Sequence, residues 1–169
     1  MVRLVGAVLV AVCCSWLGFC AAEELHKRTQ ALRQMAAGLV LLERELELGG
    51  PPLEQLLTRG ADRSQGPARA LFRGCARGLE RLDEEEFSSL WRRQLSQRKE
   101  LGEEGQSLLL PLGNLLGRYD AEQQRDSIAA VRIQLEELAA RSDTERRRQG
   151  RVYQVLGLSG GAFLVILLL

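Results

Sequence analysis

LHKRTQALRQMAAGLVLLERELELGGPP, residues 25–52, decides the fold. Leu25, Leu32, Leu39 and Leu46 recur every seven residues, with Met35 and Leu42 between them. At about 3.6 residues per turn that spacing lines one face of a helix. Gly49-Gly50 predict its C-cap, because glycine accepts the left-handed backbone that ends helices. Pro51-Pro52 follow where a new helix starts, since a first turn needs no N–H from proline.

The same punctuation divides the middle of the chain. Leu53, Leu56 and Leu57 predict a short helix ending near Gly60. Ser64-Gln65-Gly66-Pro67 restarts the chain, and the next helix carries Leu71, Phe72, Cys75, Leu79 and Leu82 on one face. Asp83 suits the cap of the following helix, with Glu84, Glu85 and Glu86 at its positive N-terminus. Phe87, Leu90, Trp91 and Leu95 are its expected buried side. A fifth helix is expected over about Glu103 to Leu116, bent near Pro111. The sixth is the longest. Asp120 is a good N-cap, with Gln123 three residues on as in a capping box, and Ile128, Val131, Leu135 and Leu138 form the inward stripe. No proline follows Asp120, so this helix can run from Ala121 to the end, about 70 Å at roughly 1.5 Å per residue. No stretch alternates with β-branched residues, so no strand is expected. The expected fold is all-α, a bundle of about six helices.

Both ends of the chain are apolar. Leu4–Ala22 and Val152–Leu169 carry no charge. A membrane-spanning helix needs about 20 mostly apolar residues, with a range near 17–25. Leu4–Ala22 also reads as a secretory signal with Ala21-Ala22 near a cleavage point. Its apolar run exceeds the usual signal core of about 7–15 residues, which favours an uncleaved anchor. Phe19 is too bulky for a lipobox at Cys20. Basic residues stay on the cytoplasmic side of a span. Lys27, Arg28 and Arg33 follow the first apolar stretch, and Arg141, Arg146, Arg147, Arg148 and Arg151 precede the second. The expected organisation is a transmembrane anchor at 1–22, a cytoplasmic helical bundle at 23–150 and a C-terminal transmembrane helix at 151–169. Cys13, Cys14 and Cys20 lie in the first apolar stretch and only Cys75 in the middle, so no disulfide framework is expected there.

Chemistry is sparse. A net charge of +1 and 5% aromatic residues give no sign of nucleic-acid binding. No Gly-rich loop precedes a Lys-Ser/Thr pair, so no phosphate-binding loop is expected. His26 is the one histidine, and no His/Cys/Asp set has metal-ligand spacing. Glu84–Glu86, Asp120, Glu122 and Asp126 read as helix starts rather than catalytic carboxylates. No catalytic residue, cofactor or metal is expected, and the chain reads as no enzyme.

One polar pattern stands out. Arg69, Arg73, Arg77 and Arg81 recur every four residues, opposite Leu71, Cys75, Leu79 and Leu82. Like charges at that spacing destabilise an isolated helix by about 0.2–0.5 kcal/mol per pair. Glu80, acidic residues on a neighbouring helix, solvent or an acidic partner would offset that. The stripe is the candidate partner surface.

Four segments carry a resemblance: LVGAVLVAVCCSWLGF (Leu4–Phe19), LRQMAAGLVLLERELELGGPPLEQ (Leu32–Gln55), LGRYDAEQQRDSI (Leu116–Ile128) and LGLSGGAFLVILLL (Leu156–Leu169). In this order the chain resembles the stage III sporulation protein AB family, most specifically at Leu116-Gly117, Asp120 and Gln124. Its lysines stand only at 27 and 99, a departure toward arginine. The resemblance implies a helical bundle similar to the cytoplasmic F domain of type II secretion and type IV pilus platforms. It implies a place in the mother-cell membrane facing the forespore, in a secretion-like channel needed for endospore formation after engulfment. The implied partners are the secretion-like ATPase of the same sporulation operon and other channel components. Self-association stays open. A passive membrane-tethered scaffold is the rival reading. A helical signalling rod is a second rival, weakened because only a few residues lie beyond either expected span.

Overall fold

A computed structural model describes residues 26–79, 86–118 and 120–168, those from 145 onward as backbone only. Every regular element among the described residues is helical. The first, α1, covers residues 26–47. It is followed by α2 (Leu53–Arg63), α3 (Gly66–Leu79), α4 (Phe87–Ser96), a 3-10 turn (Lys99–Leu101), α5 (Gly102–Leu109), α6 (Leu112–Leu115) and α7 (Ala121–Leu168). Residues 28–140 form one compact unit, distinct from the terminal segments.

The leucine stripe of α1 forms the middle of that unit's core. Leu32, Met35, Leu39 and Leu42 have no exposed surface and Leu46 keeps 5%. Each such side chain stabilises the fold by about 1.5–3 kcal/mol through burial. Leu25 lies outside the described residues. The helix stops as its glycines predict: Gly50 sits at φ +55° and donates its N–H to the Leu46 carbonyl at 3.1 Å. Neighbouring helices approach α1 at glycines. A Cβ on Gly38 would lie 2.5 Å from the Ala68 Cβ of α3, and one on Gly60 of α2 would lie 2.5 Å from the Leu42 side chain. Gly60 is therefore no stop signal. It is a contact point, which is why α2 continues to Arg63 instead of ending near Gly60.

Three further expectations change. The N-cap of α4 is Glu86, with no side-chain cap bond, while Asp83, Glu84 and Glu85 lie outside the described residues. The expected fifth helix is two: Pro111 lacks the N–H that would continue α5, and it serves as the N-cap of α6. A 3-10 turn precedes them and α5 opens at Gly102, φ +68°, so the segment starts earlier than Glu103. Trp91 of α4 holds these short pieces together. It is fully buried, its Nε1–H donates to the Leu109 carbonyl at 2.9 Å, and Gly113 packs against the indole.

The cap of α7 forms as read: the Gln123 N–H donates to Asp120 Oδ1 at 2.8 Å. Ile128 and Leu135 are fully buried, Val131 nearly so, and Leu138 packs at the core's edge. Arg132 fastens α7 to α1, donating to Glu43 at 2.8 Å and to Glu136 one turn on at 2.9 Å. The α7 backbone is helical through to Leu168. No helix among the described residues is long and apolar enough to cross a membrane. The stretch 1–22 and the side chains of 151–169 lie outside those residues.

Candidate docking surface

α2 and α3 form an elbow whose outer side is basic. From Leu53 to Leu79 there are five arginines against Glu54 and Asp62, which leaves a net charge of +3. The elbow turns at Ser64, which caps α2 in extended backbone, and Gly66 opens α3 at φ +55°. α3 then buries Leu71, Phe72 and Cys75 completely, which drives its arginine face outward.

Arg69, Arg73 and Arg77 are all exposed, as their spacing opposite the apolar face requires. Their partners differ. Arg69 folds back on the elbow, its Nε donating to the Ser64 carbonyl at 2.7 Å and its second amino group reaching the Asp62 carbonyl at 3.4 Å. Arg73 meets Asp62 Oδ1 at 3.4 Å, a pair with 45% and 67% of its side-chain surfaces exposed. Such a pair contributes at most about 1 kcal/mol. Arg77 makes no hydrogen bond or ion pair with another described residue. Arg81 lies outside the described residues. Of the three described positions, the first is tied to backbone carbonyls of the elbow, the second is held loosely by Asp62 and the third is exposed.

Two arginines that the i,i+4 stripe on α3 left out complete the surface. Arg59 and Arg63 of α2 both converge on Glu45 of α1, at 3.1 and 2.9 Å. Glu45 keeps only 4% exposure, whereas the two arginines keep 56% and 64%. The buried carboxylate is thus paired twice, and each guanidinium has further N–H groups toward solvent. Their own four-residue spacing on α2 was the available signal. The partner, Glu45, sits on another helix and no local pattern points to it.

The arrangement is a field of guanidinium donors over apolar packing, suited to carboxylates on another surface. Elsewhere, Asp120, Glu122 and Asp126 border an open hollow at the start of α7, with Asp120 engaged in its cap. Among the described residues no group of three His, Cys, Asp or Glu side chains is placed to hold a metal ion.

Comparison with known proteins gives three findings. A family model described as stage III sporulation protein AB matches residues 3–169. The stage III sporulation protein AB of Bacillus subtilis (strain 168) is 26% identical over 172 aligned residues, spanning all of both chains. A solved structure of a stage III sporulation protein AB superposes with a TM-score of 0.61 at 22% identity, over 72% of this chain and 98% of the solved one. That last likeness shows a shared fold.

Proposed function

This chain belongs to the stage III sporulation protein AB family, and on that premise we propose that it is a non-enzymatic membrane platform of endospore formation. In this reading it sits in the mother-cell membrane that engulfs the forespore, as part of a secretion-like channel, and works after engulfment. Residues 1–22 and 151–169 are its membrane anchors, and residues 23–150 are a cytoplasmic bundle that recruits the channel's ATPase. The family match over nearly the whole chain is the observation that carries the reading. The unbroken helical backbone of α7 up to Leu168 and the charge-free stretch from Val152 support the second anchor. The arginine-rich elbow supports a docking role, with Arg73 and Arg77, and Arg81 beyond them, as the contacts offered to an acidic surface. A passive scaffold has one observation in its favour: Arg69 and Arg73 already find partners within the elbow.

The test is co-purification of the ATPase with the full-length chain from sporulating cells. Arg73→Glu with Arg77→Glu places carboxylates against the partner's acidic surface, so capture of the ATPase should be lost. The exposed Arg73–Asp62 pair contributes at most about 1 kcal/mol, so the variant should remain folded and melt only slightly below the parent. Capture by the parent should also weaken as salt rises, because screening shortens the Debye length from about 10 Å at 0.1 M to about 3 Å at 1 M. Undiminished capture by a variant that melts normally moves the partner surface elsewhere.

A further inference from the structure

Arg73 and Arg77 stand one turn apart on the exposed side of α3, about 6 Å along its axis at roughly 1.5 Å per residue. Arg73 already has one carboxylate beside it. Asp62 Oδ1 lies 3.4 Å from its Nη2, and 67% of the aspartate side chain is exposed. Arg77 makes no ion pair with another described residue. Asp62 and Glu54 are the only acidic residues from Leu53 to Leu79, against five arginines. The flank of α3 toward α4 is low and uncharged. Ala70 and Gly74 are small and half-buried there, and the Gln94 side chain of α4 lies across Gly74.

We propose that this face takes an acidic helix of a partner protein, laid along α3 with carboxylates at positions i and i+4, one on Arg73 and one on Arg77. The proposal rests on reading the elbow as a docking surface and names the form that its partner presents. In the free chain Asp62 stands in for the first of the two carboxylates. It can be displaced, because an exposed pair at that distance holds weakly. The second carboxylate meets a guanidinium whose donors are open. A helix repeats acidic side chains on one face at the same spacing of about 6 Å. It also satisfies its own backbone. An extended segment laid on α3 would find no backbone partners, since those of a helix are bonded within it. With Ala70 and Gly74 beside the arginines, a second helix can approach to the usual axis distance of about 8–10 Å. This chain carries such a pair itself, Glu122 and Asp126 of α7, both exposed. Asp126 already accepts two N–H groups of Arg125, at 3.2 and 2.9 Å, so a second copy fits less well.

The test uses the full-length chain in detergent micelles at low ionic strength, titrated with three lactam-stapled, alanine-based helical peptides. One carries glutamates at i and i+4. Another carries the same two glutamates at i and i+2, where they face apart. The third carries glutamines at i and i+4. Amide resonances of Arg73, Gly74 and Arg77 are followed. The first peptide should shift all three saturably, with the other two at least about tenfold weaker. Arg77→Gln should weaken the first peptide about tenfold, as expected for losing hydrogen bonds between charged groups. Asp62→Asn should tighten it about two- to fivefold, because the competing carboxylate is gone. The proposal fails if the first peptide gives no response, if the i,i+2 isomer binds equally well, or if either variant binds like the parent. Self-association of the parent by sedimentation, reversed by Arg73→Glu with Arg77→Glu, would assign the face to a second copy and overturn it as well. Loss of ATPase capture in that double variant, with the two glutamate isomers binding alike, discards the helix and leaves the ATPase reading standing. Binding of the first peptide as expected, with capture undiminished, discards the ATPase reading and keeps the acidic helix.

Discussion

The Cys75 thiol sits on the buried face of α3 with no exposed surface. Burial pushes its pKa up to about 12 from 9.0, and the nearby Arg98 charge only partly opposes this. The unfolded chain deprotonates first as pH rises, so this contribution is complete below pH 9.0 and is lost progressively toward about 12. Between pH 8 and pH 10 the folded state should lose about 1.4 kcal/mol on this account. Denaturant melts of the parent and Cys75→Ala across that interval check it. The variant's stability should fall less steeply with pH. Equal slopes would mean that the thiol titrates alike in both states. Glu45 shows the same dependence of a residue's role on its neighbours. Its sequence context resembles that of exposed Glu47, yet it is buried between two arginines of another helix.

Among the elements, the crossing of α1 and α3 sets the position of the basic elbow. The two backbones meet where Gly38 faces Ala68, and neither carries a side chain that can swing aside. Gly38→Ala would gain roughly 1 kcal/mol of helix propensity. It would also force a Cβ to 2.5 Å from the Ala68 Cβ, and overpacking a core contact costs about 1–3 kcal/mol. The clash should win, because Ala68 can yield only by moving α3. A lower melting temperature for Gly38→Ala, partly restored by adding Ala68→Gly, is the expected result by circular dichroism. An unchanged single variant would show that the helices separate freely there. The α5–α6 break has a different origin. Pro111 was readable as a disturbance, but whether it bends a helix or divides it depends on packing. Here Gly113 lies against the Trp91 ring, which holds α6 as a piece of its own.

For the whole molecule, the proposed topology puts the bundle in the cytoplasm and both termini across the membrane. Its basis is the basic residues at Lys27, Arg28 and Arg33 and at Arg141, Arg146, Arg147, Arg148 and Arg151, set against Arg3 alone at the outer tips. Starting from a chain without native cysteines, one cysteine is placed at Ser142 or added after Leu169. A membrane-impermeant maleimide applied to intact cells should label the second and spare the first. The reverse pattern would invert the orientation and remove the bundle from the side where an ATPase works.

The helices, their caps and their buried stripes were largely legible in the sequence, because periodicity and capping are local. Leu32 through Leu46, the Gly49-Gly50 stop and the Asp120 cap each depend on residues within a few turns. Three of the four arginines in the predicted stripe are exposed for the same reason, since Leu71, Phe72 and Cys75 must face inward. Tertiary structure decided what those arginines touch. Arg59 and Arg63 reach Glu45 across 14 and 18 residues of chain, and Arg132 reaches Glu43 across 89. It also decided that Gly60 is a helix contact rather than an end, and that the Ser64 hydroxyl is buried without a hydrogen-bond partner. Each of these follows from how closely two helices cross, and that distance is set by side chains far apart in the chain.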